Sequence, residues 1–422
     1  MSKIKKPTFQ SVKGMHDILP QDQFIWEKIR ETVTGVAKHY NFSRIDTPIL
    51  EKVDLFERGV GGATDIVEKQ MFVVETENKE KLALRPENTA GVARAYIEHG
   101  LSHLGHPLKL YYIGPMFRYE QPQEGRFRQF YQAGVEILGG DSDAIYDAQS
   151  ILVFYRILED LKINKLNIQI NTVGCRNCRP PYRKKLQAYY KNKNVCKDCK
   201  RRVVANPLRV LDCKEKICQP VKKEAPTMLD NICAYCNNHF REVLEYLDEL
   251  KLPYALNNSL VRGLDYYNRT VFEIYASGFD FALGGGGRYD YLVEILGGRP
   301  TSAVGWAMGL ERAALVLKKK EVVFSEKVKI PVFFVHIGDQ AKKKSLSLIE
   351  ALRQGRVSVK ESLGKDSLKS QLRLADREGS KLALIFGQKE AFEDSIIIRD
   401  LQTGAQETVL LSKVVEEVKK RL

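Results

Sequence analysis

No cysteine occurs before residue 175 or after residue 236 of the 422-residue chain. Long apolar runs are missing too: none approaches the roughly 18–20 residues that cross a bilayer, which excludes a membrane-spanning helical protein. The N-terminal lysines of MSKIKKPTFQSVKG have no apolar h-region behind them, so a secretory signal is excluded and a cytoplasmic protein is expected. The chain lacks a GxxxxGK[ST] phosphate loop, and no Ser/His/Asp or Cys/His arrangement for covalent catalysis stands out among its scattered histidines. Internal repeats and low-complexity tracts are absent as well. What remains is a globular chain long enough for two or three domains with well-buried cores.

The confinement of cysteine is informative. All eight fall in one segment, as Cys175-x2-Cys178, Cys196-x2-Cys199, Cys213-x4-Cys218 and Cys233-x2-Cys236. Without a secretory signal disulfides are disfavoured, whereas paired CxxC steps are the spacing that tetrahedral zinc requires of a backbone. Two four-cysteine sites follow as an expectation. Cys175, Cys178, Cys233 and Cys236 flank the segment and would clamp its base with a structural zinc ion, while Cys196, Cys199, Cys213 and Cys218 would tie its tip. The alternative is that some of them are reduced thiols without metal. The same segment concentrates charge. Of a net +14, the stretch Cys175–Pro226 carries 16 Lys/Arg against 4 Asp/Glu. Cation density of this kind fits a polyanionic partner, above all a nucleic-acid backbone.

Hydrophobic periodicity organises the remainder. Ile25, Ile29, Val33, Ala37 and Tyr40 recur at helical spacing and predict an amphipathic helix over 21–40. RIDTPILE and KQMFVVET read as strands, and LRPENTAGVARAYIEHG as a turn into a helix. Residues 108–139 read as two strands joined by the polar loop QPQEGR, an antiparallel hairpin. A helix over 143–161 and the strand KLNIQIN lead to the Cys-rich segment, which ends in a helix near 227–250. Strands resume at 253–281, GGGGRYDYLVEILG reads as a Gly-rich turn into a helix, and SAVGWAMGLERAALVLKKK as a strand or turn and a helix. Lys318–Lys329 reads as a charged linker. Beyond it, short strands and helices alternate from IPVFFVHI to the C-terminus, which predicts a separate α/β domain.

The polar residues inside these apolar elements carry the chemistry. On one strand of the hairpin Arg128, Phe130, Gln132, Gly134 and Glu136 share a face; on the other, Met116, Arg118 and Glu120 do. A core there would bury unpaired charge at a cost of several kcal/mol. The plainer alternative is an exposed face with an Arg–Glu cross-strand pair. Arg118, Gln132 and Glu136 can converge on it, with Gly134 leaving room for a ligand. The stretch 260-LVRGLDYYNRTVFE-273 adds Arg262, Asp265, Tyr266 and Tyr267 to a strand-like run. LALRPENT sets Glu87 and Thr89 at a helix start, GGGG at 284–287 lets backbone approach a flat ligand or a phosphate, and GLER supplies Arg312. Three arginines and several carboxylates on one sheet suit a triphosphate and a zwitterion bound side by side.

These stretches together resemble the histidyl-tRNA synthetases, a family of class II aminoacyl-tRNA synthetases, over nearly the whole length from KGMHDILP onward. TPILEKVDLFERGVG, GPMFRYEQPQEGRFRQFYQAGVE and AVGWAMGLERAAL look like the three class II elements, and LVRGLDYYNRTVFE and LGGGGRYD like the two stretches peculiar to the histidine enzymes. The resemblance implies an α+β catalytic domain over 1–328, built on a mainly antiparallel sheet with a Cys-rich, basic insertion at about 171–252, and a C-terminal α/β anticodon-binding domain over 329–422. It implies that histidine and ATP, with Mg2+, form a histidyl-adenylate whose histidine is then passed to tRNA, and that the protein is a homodimer joined through the first motif. Residue by residue, Arg118 and Arg262 would act catalytically at the α-phosphate, Arg312 would lie near the γ-phosphate, and Arg126 would complete the ATP site. Glu87, Thr89 and Gln132 would hold the α-amino group, with Asn88 in the same histidine pocket. Glu136 and Tyr267 would address the imidazole, and Tyr266 and Tyr289 would line it. The rival resemblance is to the regulatory paralogue of ATP phosphoribosyltransferase, which shares the catalytic fold but lacks the C-terminal domain and the intact RGLDYY stretch. A tRNA-binding pseudo-enzyme is the third reading.

Overall fold

The computed structural model describes residues 9–62, 64–322, 332–364 and 367–422. The chain divides into two compact units, Met1–Val322 and Val323–Leu422. Most of the expected linker, from residue 323, lies outside the described residues.

The strands of the first unit are, in chain order, β1 Ser43–Arg44, β2 Leu50–Lys52, β3 Phe72–Glu75, β4 Lys81–Leu84, β5 Leu108–Phe117, β6 Gln129–Leu138, β7 Leu166–Thr172, β8 Tyr254–Leu256, β9 Asn268–Ala276, β10 Ala282–Arg288 and β11 Ala303–Gly309. Eight of them form one sheet in the order β1-β5-β6-β11-β10-β9-β7-β8, and β2-β4-β3 form a small second sheet. The large sheet is antiparallel except at its edges, where β1 joins β5 and β8 joins β7 in parallel. The β5–β6 hairpin pairs Gly114 with Gln132 and Leu110 with Glu136.

One sheet face is covered by helices. Gln23–His39 buries Ile25, Trp26, Ile29, Val33, Val36 and Ala37, a single stripe at 3.6-residue spacing. Ala144–Asp160 starts where the Asp143 carboxylate accepts a hydrogen bond from the Ile145 amide at 2.9 Å, a side-chain N-cap. It packs against β11, with Phe154 stacked on Trp306 at 4.4 Å. Leu310–Lys319 completes this layer. Gln132 and Glu136 stand on the opposite face, where Leu110, Tyr112 and Met116 are packed in the core with residues of Thr89–Glu98 and Glu136 is buried.

Three local readings are corrected. Residues 260–267 are irregular and β9 begins only at Asn268, so Arg262 and Asp265 lie in a loop rather than on a strand. Gly284–Gly287 lie inside β10, between β9 and β11, rather than in a turn. At Gly134 an added Cβ would overlap the Tyr112 hydroxyl, so that space is taken by a tyrosine and not by a ligand.

A buried ionic cluster ties the helical layer to the sheet. Arg288 on β10 is almost fully buried and donates to both oxygens of Asp147 on Ala144–Asp160, to Asp290 at 3.1 Å, and to the Asp143 carbonyl at 2.8 Å. Burial pushes the Asp147 carboxyl up, but Arg288 and His239 outweigh it and hold it well below the usual carboxylate range. Removing one partner leaves the other charged and buried, so Asp147→Asn should cost about 3–5 kcal/mol in urea unfolding. Because the folded-state pKa is depressed, the wild type has this contribution above pH ~4 and loses it as pH falls further, whereas the variant should show no such loss.

The insertion, between β7 and β8, carries helices Arg179–Tyr190, Lys197–Ala205, Gln219–Lys223 and Ala234–Glu249. Its core is small, and six of its thirteen buried members are cysteines: Cys175, Cys178, Cys199, Cys213, Cys218 and Cys236. So few apolar side chains carry little stability without a cross-link or metal.

In the second unit, β12 Val332–His336, β13 Val359–Glu361, β14 Leu382–Phe386, β15 Ser395–Asp400 and β16 Gln406–Leu410 form one sheet in the order β13-β12-β14-β15-β16. VFFVH and LALIF are buried throughout, as strands covered on both faces require. Strand β16, the polar and largely exposed QETVL, was not expected from periodicity because an edge strand has no core face to mark it.

Candidate active site

One face of β6, β10 and β11 forms the floor of a cleft, walled by the loop between β5 and β6 and by residues 262–267. Its cavity volume is about 150 Å³. Arg118, Arg126, Arg262 and Arg312, drawn from three separate stretches, all line it.

Each guanidinium is fixed by a different contact. Arg118, just past β5, donates through Nε to the Pro86 carbonyl at 2.8 Å and lies 5.3 Å from the Phe130 ring centre. Arg126, in the loop, stands 3.6 Å from Glu120, which also lies 3.9 Å from Arg118. Arg312, at the start of Leu310–Lys319, donates to the Gly125 carbonyl at 3.1 Å and to the Ala282 carbonyl at 2.7 Å, pinning the loop tip to the end of β10. Arg262 pairs with Glu273 of β9 and lies 5.8 Å from the Tyr267 ring. Burial works against the Arg262 charge, yet Glu273 and both tyrosines hold its pKa above the ordinary value. Arg118 and Arg312 are lowered, chiefly by burial, which leaves two incompletely compensated cations facing the cleft. Space for the Arg262 guanidinium depends on Gly285: a Cβ there would stand 2.9 Å from Nη1.

Deeper in, acidic and phenolic groups converge. The Glu87 carboxylate accepts from the backbone amides of Thr89 and Ala90 at 2.8 and 2.9 Å, closing the N-terminus of Thr89–Glu98, and from Tyr266 Oη at 3.3 Å. Glu136 is fully buried. Its carboxylate accepts from Thr89 Oγ1 at 2.7 Å, from Tyr289 Oη, and at 3.5 Å from Tyr112 Oη. Burial pushes Glu136 up to about 8, with the nearby Glu87 charge adding to the rise against the donors that lower it. Gly305 faces Glu136 across the β6–β11 ladder, and any Cβ there would overlap its carboxylate. Gln132 Oε1 and Arg262 Nε are buried without a partner. Buried polar atoms are rarely left so, and these two belong to residues lining the cleft.

The structure therefore gathers Arg118, Arg126, Arg262, Arg312, Glu87, Thr89, Gln132, Tyr266 and Tyr267 around one cleft, with Glu136 and Tyr289 joined behind them. Asn88 does not join. Its Oδ1 accepts from Thr47 Oγ1 at 2.6 Å and from Arg85 at 3.1 Å, on the far side of the helix start. Asp265 also turns away and accepts from Asn206 of the insertion at 3.1 Å. Sequence reasoning missed Glu273, Glu311 and Tyr112. The first closes the quoted stretch 260–273 and needed only the register of β9 to be recognised. Glu311, pushed up to about 7 by burial, accepts from the Tyr131 amide at 2.8 Å, a contact between distant segments with no local signal.

The eight cysteines form two clusters, Cys175/Cys178/Cys233/Cys236 and Cys196/Cys199/Cys213/Cys218, with the four sulfurs of each within 4.8 Å of one another. All are free thiols. Sulfur separations of 3.5 Å (Cys175–Cys178), 3.8 Å (Cys178–Cys236) and 3.9 Å (Cys196–Cys213) match the roughly 3.8 Å edge of a tetrahedron with metal–sulfur bonds of about 2.3 Å.

Two family models match the chain: one described as "Histidyl-tRNA synthetase" over residues 14–313, and one described as "Anticodon binding domain" over residues 329–421. The histidine--tRNA ligase of Dehalococcoides mccartyi (strain 195) is 42% identical over 418 residues, covering 98% of this chain and 100% of the relative. That of Aquifex aeolicus is 45% identical over 407 residues, covering 96% and 99%. Among solved structures, apo histidyl-tRNA synthetase of S. aureus superposes with a TM-score of 0.81 at 32% identity, covering 98% of this chain and all of that one. A Bacillus halodurans chain titled "ATP phosphoribosyltransferase regulatory subunit/histidyl-tRNA synthetase" reaches 0.64 at 20% identity, over 92% of this chain and 99% of its own, a likeness of fold alone.

Proposed function

The chain belongs to the histidyl-tRNA synthetase family, its reaction is the ATP-dependent attachment of histidine to tRNA, and we propose that the cleft performs the first step by charge placement alone. ATP binds with its α-phosphate between Arg118 and Arg262 and its γ-phosphate toward Arg312, accompanied by Mg2+. Glu87, Thr89 and Gln132 take the α-amino group, and the neutral imidazole, which needs one acceptor and one donor, lies between Glu136 and Tyr267. As the histidine carboxylate attacks the α-phosphorus and pyrophosphate leaves, negative charge builds on the equatorial oxygens. Arg262 and Arg118 meet it with donors already in place. The observation that carries this reading is the convergence of three guanidiniums from separate segments on a slot that ends at Glu136. Histidine-dependent ATP–pyrophosphate exchange tests it: robust exchange is expected, and none would favour the regulatory paralogue or a binding-only protein.

The same reading extends to partners. The basic insertion suits the acceptor arm of tRNA, and residues 329–421 suit its anticodon. Ile49, Leu50, Val73 and Val74 are exposed around the small β2-β4-β3 sheet, apolar surface that a second copy would cover in a homodimer. Eight free thiols fit a reducing, cytoplasmic compartment, and no described helix is long and apolar enough to cross a membrane. Each cysteine cluster holds one structural zinc ion. Metal analysis of the purified protein should find two zinc ions per chain, counting one for each cluster. Their removal by a chelator should expose the insertion to proteolysis before the rest of the chain. A zinc-free preparation with an equally resistant insertion would refute that assignment.

A further inference from the structure

We infer that the tetrathiolate tip of the insertion holds residues 260–267 in their activating geometry, with Asp65, Asn206 and Arg209 as positioning residues for histidine activation. The inference rests on the synthetase and metal readings above.

Residues 260–267 carry Arg262, Tyr266 and Tyr267 yet belong to no strand, so contacts with neighbouring segments fix their shape. Several come from the insertion. Arg209 donates to the Arg262 carbonyl at 3.4 Å, and Asn206 to the Asp265 carboxylate at 3.1 Å. Arg179, next to Cys178, donates to the carbonyls of Tyr267 and, at 3.4 Å, Asp265. Asp65 completes the arrangement from the catalytic body. It accepts from Arg202 at 3.1 Å and Arg209 at 2.9 Å, and lies just beyond Val60, whose carbonyl takes the Asp265 amide at 3.0 Å. Arg202 is thus turned toward the catalytic body.

Arg202, Asn206 and Arg209 all fall within residues 200–212, the stretch between Cys199 and Cys213 that the second cluster closes. Metal there fixes both ends of the helix–turn bearing them. Between those ends Val210 and Leu211 are buried in the cysteine-rich core, and Arg183 donates to the Ala205 carbonyl at 2.9 Å; without metal the stretch keeps these contacts but loses both fixed ends. Tip, Asp65 and activating loop then act as one mechanical unit.

The test uses full-length protein, tRNA-free exchange kinetics, zinc content and thermal midpoint, and the variants Asp65→Ala and Asp65→Glu. Asp65→Ala should keep the wild-type zinc content and lower the midpoint by only a few degrees, since Asp65 itself is part-exposed, yet lose about tenfold in kcat/KM for histidine. Its KM for ATP should rise less than its KM for histidine, because Arg118 and Arg312 are untouched. Asp65→Glu should recover most of the loss. Stripping zinc from the wild type should weaken histidine binding, read by calorimetry, by a similar factor, and zinc re-addition should restore it. Wild-type kinetics in Asp65→Ala, or unchanged histidine affinity in stripped protein, would overturn the inference. A wild type without exchange would bring down the activity reading and this inference together. An active wild type that never contains metal would instead remove the metal reading, and with it the tip as the anchor.

Discussion

Arg262→Ala should lower kcat for histidine-dependent ATP–pyrophosphate exchange by about 10²–10³, the loss usual when one preorganised donor to developing charge is removed. The reason is the state in which the protein keeps this side chain. Glu273 fixes one end of the guanidinium, Tyr267 flanks it, and Nε remains buried without a partner. A donor held this way needs no reorganisation when the carboxylate attacks phosphorus. The fold should lose less, on the order of 1–2 kcal/mol, since Glu273 retains the Tyr275 hydroxyl at 2.5 Å. Arg262→Lys should rescue poorly. An ammonium is a single point of charge, and it cannot face Glu273 and a phosphate in two directions as the planar fork does. Exchange at the wild-type rate in Arg262→Ala would reassign the α-phosphate to Arg118 alone.

Glu136→Gln should separate stability from activity. A carboxyl pushed up to about 8 keeps its proton in the folded chain, while in the unfolded chain it ionises near the ordinary 4.5. Between those values the folded state binds more protons, so this group's contribution to stability falls as pH rises from 4.5 to 8. Glutamine removes the titration. The variant should be more stable than wild type at pH 8 by about 4 kcal/mol, with the difference vanishing near pH 4. Its kcat/KM for histidine should drop by about 10², because a carboxyl can shift or release its proton so that either oxygen accepts from the ring, whereas the amide nitrogen can only donate, and a mismatched buried polar pair discriminates strongly. Parallel urea titrations at pH 5 and pH 8, with exchange kinetics across histidine concentration, measure both halves. A variant that is no more stable at pH 8 would mean that Glu136 is ionised in the folded protein.

The sequence was most legible where side-chain period and chemistry agreed. The β5–β6 hairpin placed Arg118, Gln132 and Glu136 on one face because alternation leaves no other choice. The pairing of CxxC steps into base and tip clusters followed from spacing for the same kind of reason. Legibility failed where the backbone took its form from distant partners. LVRGLDYY reads as a strand by composition, but Arg209, Asn206 and Arg179 hold it as a loop. Asn88 was grouped with its neighbours Glu87 and Thr89, yet at a helix start adjacent side chains diverge, and Arg85 takes it to the other side. Four consecutive glycines suggested a turn, since no local signal shows that two flanking strands leave no volume for side chains.

That glycine strand has an evolutionary consequence. At Gly284 and Gly285 the floor of the cleft is bare backbone, and a methyl group at either, or at Gly286 beside them, would collide with a neighbouring carbonyl. Selection therefore has no small steps available on this surface. Any drift toward another amino acid would have to come through the tyrosines and carboxylates of the walls, while the floor stays frozen.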